Sequence, residues 1–319
     1  VAHLADGLVN SGHDVTLFAS GGSVTLAKLV TYWDEPPGTV RLVTHPLDEL
    51  PHVLNAYKHA GEFDVIHDHT FPLGPSIGAQ RSPPPPVVHT LHGPPSDPGM
   101  KRILEFIDPK VGFVAISNYQ RSVAPGLNYA GTVYNGIPVE RYTFKEKKED
   151  YLLFLGRMSP QKGAHLAVET ARRLGRRLVM ATKMAEPGEL EYFEAEVKPL
   201  LTGDEEILGE VTFDEKVALY ADAACTLMPI QWPEPFGLVM TESMACGTPV
   251  VAMRNGSVPE IVDHDVTGFI AGDLDSFVHY VSESGSIEPA ACRRSVEEKF
   301  STEAMVRGYE TVYESLTAF

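Results

Sequence analysis

Cysteine is scarce in this 319-residue chain: Cys225, Cys246 and Cys292, odd in number and without a C-x-x-C pair. That argues against a disulfide framework or a zinc knuckle, and sets the expectation of a reducing, cytoplasmic compartment. Positive charge is also short. Lys plus Arg number 26 against 43 Asp plus Glu, for a formal net charge of −17. This balance argues against a sequence-independent nucleic-acid binder and a polybasic membrane binder. No apolar run approaches the roughly 18 residues of a membrane-spanning helix. The chain has neither a G-x-G-x-x-G fingerprint nor a Walker A loop.

What is present is a hydrophobic share of 43%, enough for a sizeable core. Short apolar runs alternate with helical patterns throughout. Strands are expected at 14–19, 39–43, 64–67, 87–91, 112–116 and 131–135, with helices such as 48–63 and 117–124 between them. A second series of strands covers 151–156, 176–182, 223–229 and 248–253. Its helices are expected at 163–174, 189–201 and 214–222. The fold class is therefore α/β: two doubly wound, Rossmann-like domains of parallel strands facing a cleft. The all-charged KEKKED run (145–150) reads as the linker. The expected domains are 1–145 and 146–300, with an amphipathic helix at 301–319 packing back on the first.

Two segments carry chemistry. GRMSPQKG (156–163) follows a strand and precedes a helix. Arg157 and Lys162 place two cations beside helix amides, a site for a phosphate or diphosphate; the alternative is a solvated loop. WPEPFGLVMTESMACGTPVVA (232–252) sets Glu234 just before a helix and Glu242 eight residues later, about 12 Å along if all were helical. Carboxylates so spaced suit two different hydroxyl groups of one extended ligand. Amides at Gly237, Leu238 and Val239 offer a further anion or hydroxyl site. The bland reading makes Glu234 a loop acid and Glu242 a solvated helix face.

GRMSPQKG, EPFGLVMTESMACGTPVVA with its E-x7-E, and GSVPEIV…VTGFI (256–270) resemble the donor domain of the family 4 retaining glycosyltransferases, of GT-B fold. FDVIHDHT, VVHTLHG, VAISNYQR and VYNGIPVERY in the N-terminal half follow the same order. The resemblance implies that Arg157 and Lys162 grip a nucleotide diphosphate, Glu242 binds ribose hydroxyls, and Glu234 faces the donor sugar. It implies that amides of Phe236, Gly237, Leu238 and Val239 touch sugar and phosphates, and that His92 sits over the reacting sugar. The implied catalytic set is His92, Glu234, Arg157 and Lys162, with no metal or other cofactor required. The implied reaction moves a hexosyl group from a UDP- or GDP-sugar to an acceptor hydroxyl the sequence does not identify. Rival readings are another GT-B reaction, such as nucleotide-sugar epimerisation, and a nucleotide-sugar-binding fragment without turnover. No nucleic-acid partner is expected, and the oligomeric state is open.

Other residues weigh less. His67 and His69 share a strand face but read as a cleft rim, not metal ligands. His89 reads as a hydrogen-bonded core histidine, Ser117 and Asn118 as helix caps, and Cys246 as packing. Asn135-Gly136 reads as a turn near the domain junction, and Glu260 as a cap, a helix-face acid or a ligand contact. Val1 opens on VAHLADGLVNSGH, which reads as the second half of an amphipathic helix. Similar enzymes place a strand and a glycine-rich loop before that helix. The expectation is thus an N-terminally truncated fragment in which strands 14–19 and 64–67 lose a partner.

Overall fold

The computed structural model describes residues 1–35, 46–78 and 85–318. Two compact units emerge: Val1–Gly136 together with the segment from Thr302 onward, and Ile137–Ser301. The division falls at 136/137 rather than at 145. KEKKED is not a free linker, because its backbone and lysines are tied to the second unit. Glu149 N–H donates to the Asp222 carbonyl at 2.7 Å, and Lys145 pairs with the Asp222 carboxylate. Lys148 Nζ donates to the carbonyls of Ala221 (3.0 Å) and Cys246 (2.9 Å). Those carbonyls close two helices, where a cation is favoured.

The first unit holds β1 (Thr16–Phe18) and β2 (Lys28–Val30) as a two-stranded parallel pair. A second parallel sheet runs β3-β4-β5-β6, from Ile66–Asp68, Val87–Leu91, Gly112–Ala115 and Tyr129–Thr132. No pairing joins β1 to β3 among the described residues. The strand expected at 39–43 lies outside the described residues. The one expected at 131–135 is shifted to Tyr129–Thr132. Helix Thr302–Thr317 completes the core of this unit. Its Met305, Val306, Tyr309 and Val312 pack with Leu4 and Leu8 of helix Ala2–Asn10 and with Val88, Val114 and Val133. Gly7 allows the close helix crossing, since a Cβ there would stand 2.6 Å from Val306 Cγ2.

The second unit is one six-stranded parallel sheet. Its strands are β7 (Tyr151–Arg157), β8 (Arg177–Lys183), β9 (Glu205–Leu208), β10 (Cys225–Met228), β11 (Val250–Met253) and β12 (Gly268–Ala271), in the order β12-β11-β10-β7-β8-β9. The inner strands are nearly continuous apolar runs, as burial on both faces requires. β9 escapes a hydrophobicity reading because it is an edge strand that begins Glu205-Glu206. The helix expected over 189–201 is broken. It runs Pro187–Tyr192, widens to a π-turn at Phe193–Val197 and tightens at Lys198–Leu200. Pro199 lacks the N–H that a continuing α-helix needs.

Candidate active site

The strand order of the second unit locates its ligand crevice. From β7 the chain builds outward through β8 and β9, then returns to the other side of β7 with β10. At that reversal the loops leaving β7 and β10 diverge, and ligands bind beyond the carboxyl ends of such strands. The two chemistry-bearing segments of the sequence are those two loops.

The loop after β7 carries Arg157 at the strand end, then a tight turn Pro160–Lys162, then helix Ala164–Leu174. Gly163 joins turn to helix at φ +73°, and a Cβ there would stand 2.1 Å from the Pro229 carbonyl oxygen. Only glycine lets the two loops approach so closely. They are stitched by Gln231 N–H, which donates to the Gln161 carbonyl at 2.8 Å. Lys162 Nζ then reaches Glu234 Oε2 at 2.5 Å. Trp232 Nε1–H donates to the same oxygen at 2.9 Å, and Nζ lies 5.3 Å from the centre of the Trp232 ring. The Glu234 main chain is held from the other side. Ser257 N–H donates to its carbonyl at 2.9 Å, while Gly256, at φ +58°, approaches so closely that a Cβ would sit 2.2 Å from that oxygen.

Lys162 is paired with Glu234, so Glu234 is not a free loop acid but a buried carboxylate. Trp232, which no motif singled out, completes the cluster.

Gly237 (φ +83°) is the N-cap of helix Leu238–Ala245, whose first amides, including those of Leu238 and Val239, have no acceptor within the helix. Phe236 is buried, whereas Leu238 is exposed. From Met240 to Ala245 every residue of this helix is buried, so Glu242 cannot be a solvated helix face. A buried carboxylate needs counter-charge and donors. Lys216 Nζ supplies the charge at 2.7 Å from Oε1, which also accepts from Tyr142 Oη at 3.1 Å. Tyr220 Oη donates to Oε2 at 3.1 Å. Burial, and then the Glu242 charge, push both phenols above their ordinary pKa, so they remain donors. A carboxylate oxygen has two lone-pair sites, so Oε1 is saturated and Oε2 can accept one more hydrogen bond.

In the first unit, His92 follows β4. Its Nε2 lies 2.9 Å from His69 Nδ1, and the two rings stack with centroids 5.2 Å apart. Burial lowers the pKa of His92 to about 4 and that of His67 to about 3, and holds His69 well below its ordinary value. His67 is fully engaged, by Tyr313 Oη on Nδ1 (2.7 Å) and Thr90 Oγ1 on Nε2 (2.8 Å), which leaves no nitrogen for a metal. His89 is a core residue, but it lacks the expected hydrogen bonds. Its Nδ1 stands 3.4 Å from Asp68 Oδ1, an electrostatic contact only. Asp68 is held instead by Tyr57 Oη at 2.9 Å and by the amide and hydroxyl of Thr70. Ser117 caps helix Asn118–Ser122 by accepting from Gln120 N–H. The thiol of Cys246 is buried and pushed up to about 12 by desolvation, which suits packing and not nucleophilic attack. Among the described residues, no group of three or more His, Cys, Asp or Glu could hold a metal ion, and no helix is long and apolar enough to cross a membrane.

Residues 1–141 match the family Glycosyltransferase Family 4, and residues 140–283 match Glycosyl transferases group 1. A relative named an uncharacterized glycosyltransferase, MJ1178 of Methanocaldococcus jannaschii, is 28% identical over 295 residues, covering 84% of this chain and 82% of its own. Among solved structures, AviGT4, a glycosyltransferase involved in avilamycin A biosynthesis, is 26% identical with a TM-score of 0.74, covering 99% of this chain and 88% of its own. HepE of Anabaena, solved with UDP and glucose, shares the fold at 21% identity and a TM-score of 0.74, covering 100% and 96% of the two chains. The two matched family models together span residues 1–283, and the chain is a glycosyltransferase, a transferase of GT-B fold.

Proposed function

We propose that this glycosyltransferase is a retaining enzyme that moves a hexosyl group from a nucleoside-diphosphate sugar, UDP-linked in the first instance, to an acceptor hydroxyl. The observation that carries the reading is the meeting of Lys162, Glu234 and Trp232 at the switch point of the second unit, beside the amide end of helix Leu238–Ala245. Cleaving a glycosyl–phosphate bond builds negative charge on the departing diphosphate. Fixed cations and helix amides stabilise that charge, in many enzymes the largest catalytic effect. In this reading Arg157 binds the diphosphate, and Lys162 does so with ammonium hydrogens not given to Glu234. Glu242 accepts a ribose hydroxyl on Oε2, and the amides of Phe236, Gly237, Leu238 and Val239 face sugar and phosphates.

Glu234 already receives two donors on Oε2. It serves as a fixed acceptor for a sugar hydroxyl, and the anomeric carbon is attacked by the acceptor on the face the diphosphate leaves. No protein nucleophile is used and the configuration is retained. His92, in the first unit, is held neutral at pH 7 by its lowered pKa, so it can hydrogen-bond but does not act as a proton donor there. UDP is favoured because the similarly folded HepE was solved with UDP and glucose.

The test is donor turnover with and without a panel of acceptor alcohols, with the anomeric configuration of the product read by NMR. Acceptor-dependent loss of UDP-sugar with retention supports the proposal. Conversion of donor alone shows epimerisation or hydrolysis. A thermal shift with UDP but no consumption reduces the chain to a binding module.

A further inference from the structure

Both acids of the E-x7-E element already have a lysine: Lys162 on Glu234 and Lys216 on Glu242. Each pair leaves little net charge for a dianionic or trianionic diphosphate. Further cations near the switch point must therefore be sought at the strand ends. Arg157 is the last residue of β7 and Lys183 the last of β8, and the two are Cα partners in the parallel ladder. Adjacent strands run about 4.8 Å apart, and partnered residues of a parallel pair point to the same side of the sheet. The ladder is fixed beyond this pair by Met158 N–H, which donates to the Lys183 carbonyl at 3.1 Å. Both side chains are exposed, at the tips of strands whose middles are buried. Neither forms an ion pair among the described residues. The acid that both act on, Glu189, commits its Oε2 to the amides of Ala185 (2.9 Å) and Glu186 (3.1 Å). It accepts from its own loop and spans neither cation.

We propose that Lys183 is a diphosphate-binding residue of the donor site, forming with Arg157 a two-cation clamp at the ends of adjacent strands. The proposal rests on the donor reading above and adds a residue to it. The guanidinium supplies planar, bidentate contacts and the ammonium a compact point charge, so the two are complementary on neighbouring phosphates. Lys183 lies in ATKMAEPGE, a stretch without motif character, so only the strand register reveals it.

The test is calorimetric titration of the full chain with UDP, GDP and ADP, then with the monophosphate and nucleoside of whichever base binds, for the parent, Lys183→Met and Lys183→Arg. The exposed position makes misfolding of these variants unexpected, and matched melting curves verify that. The expected result is a diphosphate affinity at least tenfold weaker in Lys183→Met, a smaller loss for the monophosphate, none for the nucleoside, and recovery to within threefold in Lys183→Arg. A diphosphate affinity within twofold of the parent in Lys183→Met overturns the proposal. Equal losses for diphosphate, monophosphate and nucleoside also overturn it, because the lysine then reads the base. If the parent binds none of the three diphosphates, the donor reading fails first and takes the clamp with it.

Discussion

Lys162 Nζ lies 2.5 Å from Glu234 Oε2, joining residues 72 positions apart across the point where the second sheet reverses its order. The pair makes each residue dependent on the other. Lys162→Ala frees Glu234 from its cation, and Glu234→Gln frees Lys162 from its anchor. Each is expected to slow turnover at saturating donor by roughly 10²-fold, about 3 kcal/mol of transition-state stabilisation. Because they touch, the double variant should lose less than the two losses combined, with a coupling of about 1–3 kcal/mol. Arg157→Ala is expected to cost a similar factor without that coupling. Steady-state kinetics of the four variants decide the point, and rates within threefold of the parent refute the assignments.

Glu242 invites a stability test as well as a kinetic one. Glu242→Ala strands Lys216, Tyr142 and Tyr220 around a partly buried hole. Removing one member of a buried charge pair costs about 3–5 kcal/mol, and the residual exposure of Lys216 places the expected loss near the lower end, about 3 kcal/mol. Glu242→Gln keeps an acceptor for the phenols and should lose less. Urea unfolding measures both. On the proposed function, UDP should raise the melting temperature of the parent and of neither variant.

Gly256 is a backbone test of the same site. At φ +58°, with a Cβ that would fall 2.2 Å from the Glu234 carbonyl oxygen and 2.4 Å from its nitrogen, Gly256→Ala must strain its own backbone or push Glu234 away. Left-handed strain alone costs about 1–3 kcal/mol. The expected outcome is a lower Tm and at least a tenfold loss of kcat. Gly188→Ala, where a Cβ meets nothing within 4 Å, is the matched control and should leave both near the parent values.

Acid sensitivity should come from the first unit. His67 and His92 have folded-state pKa values of about 3 and about 4, below the ordinary 6.5, chiefly because burial disfavours the charged ring. The unfolded chain therefore binds protons that the folded chain refuses. The stability these residues contribute is complete above pH 6.5 and is lost as pH falls, through about 4 for His92 and about 3 for His67. Imidazole NMR signals of both should stay unshifted from pH 8 to pH 5. A midpoint near 6.5 for either counts against the burial argument.

All three thiols are buried, and desolvation raises Cys225 to about 11 and Cys246 and Cys292 to about 12. The native protein should therefore react with a disulfide reagent at none of them within minutes, and at all three in denaturant. Rapid native reaction at Cys246 would reopen it as a functional residue.

The alternating strands and helices made the fold class readable, because parallel strands buried on both faces must be apolar along their whole length. Two of the edge strands, β2 and β9, were not readable. β9 begins with two glutamates and β2 is three residues long, so neither offers a hydrophobic run. The site was legible where local geometry is written into local sequence, as at Gly163, Gly237 and the E-x7-E spacing. It was illegible where partners are far apart in the chain. Lys216 lies 26 residues before Glu242, and Tyr142 lies 100 before it. Lys183 meets Arg157 only through strand register. The charged run 145–150 misled for a related reason. Its Lys148 finds carbonyls at helix ends, acceptors that no charge pattern reveals.

The helix Thr302–Thr317 belongs to the first unit, although 165 residues of the second unit, Ile137–Ser301, are made before it. During synthesis the second unit is continuous and complete before that helix emerges, and can fold as its strands become available. One core cluster of the first cannot close, because Leu4, Leu8, Val88 and Val114 wait for Val306, Tyr309 and Val312 to cover them. That cluster stays open until the helix is made, so removing the helix should harm the first unit and spare the second. The order of assembly thus runs opposite to the order in which the two units begin.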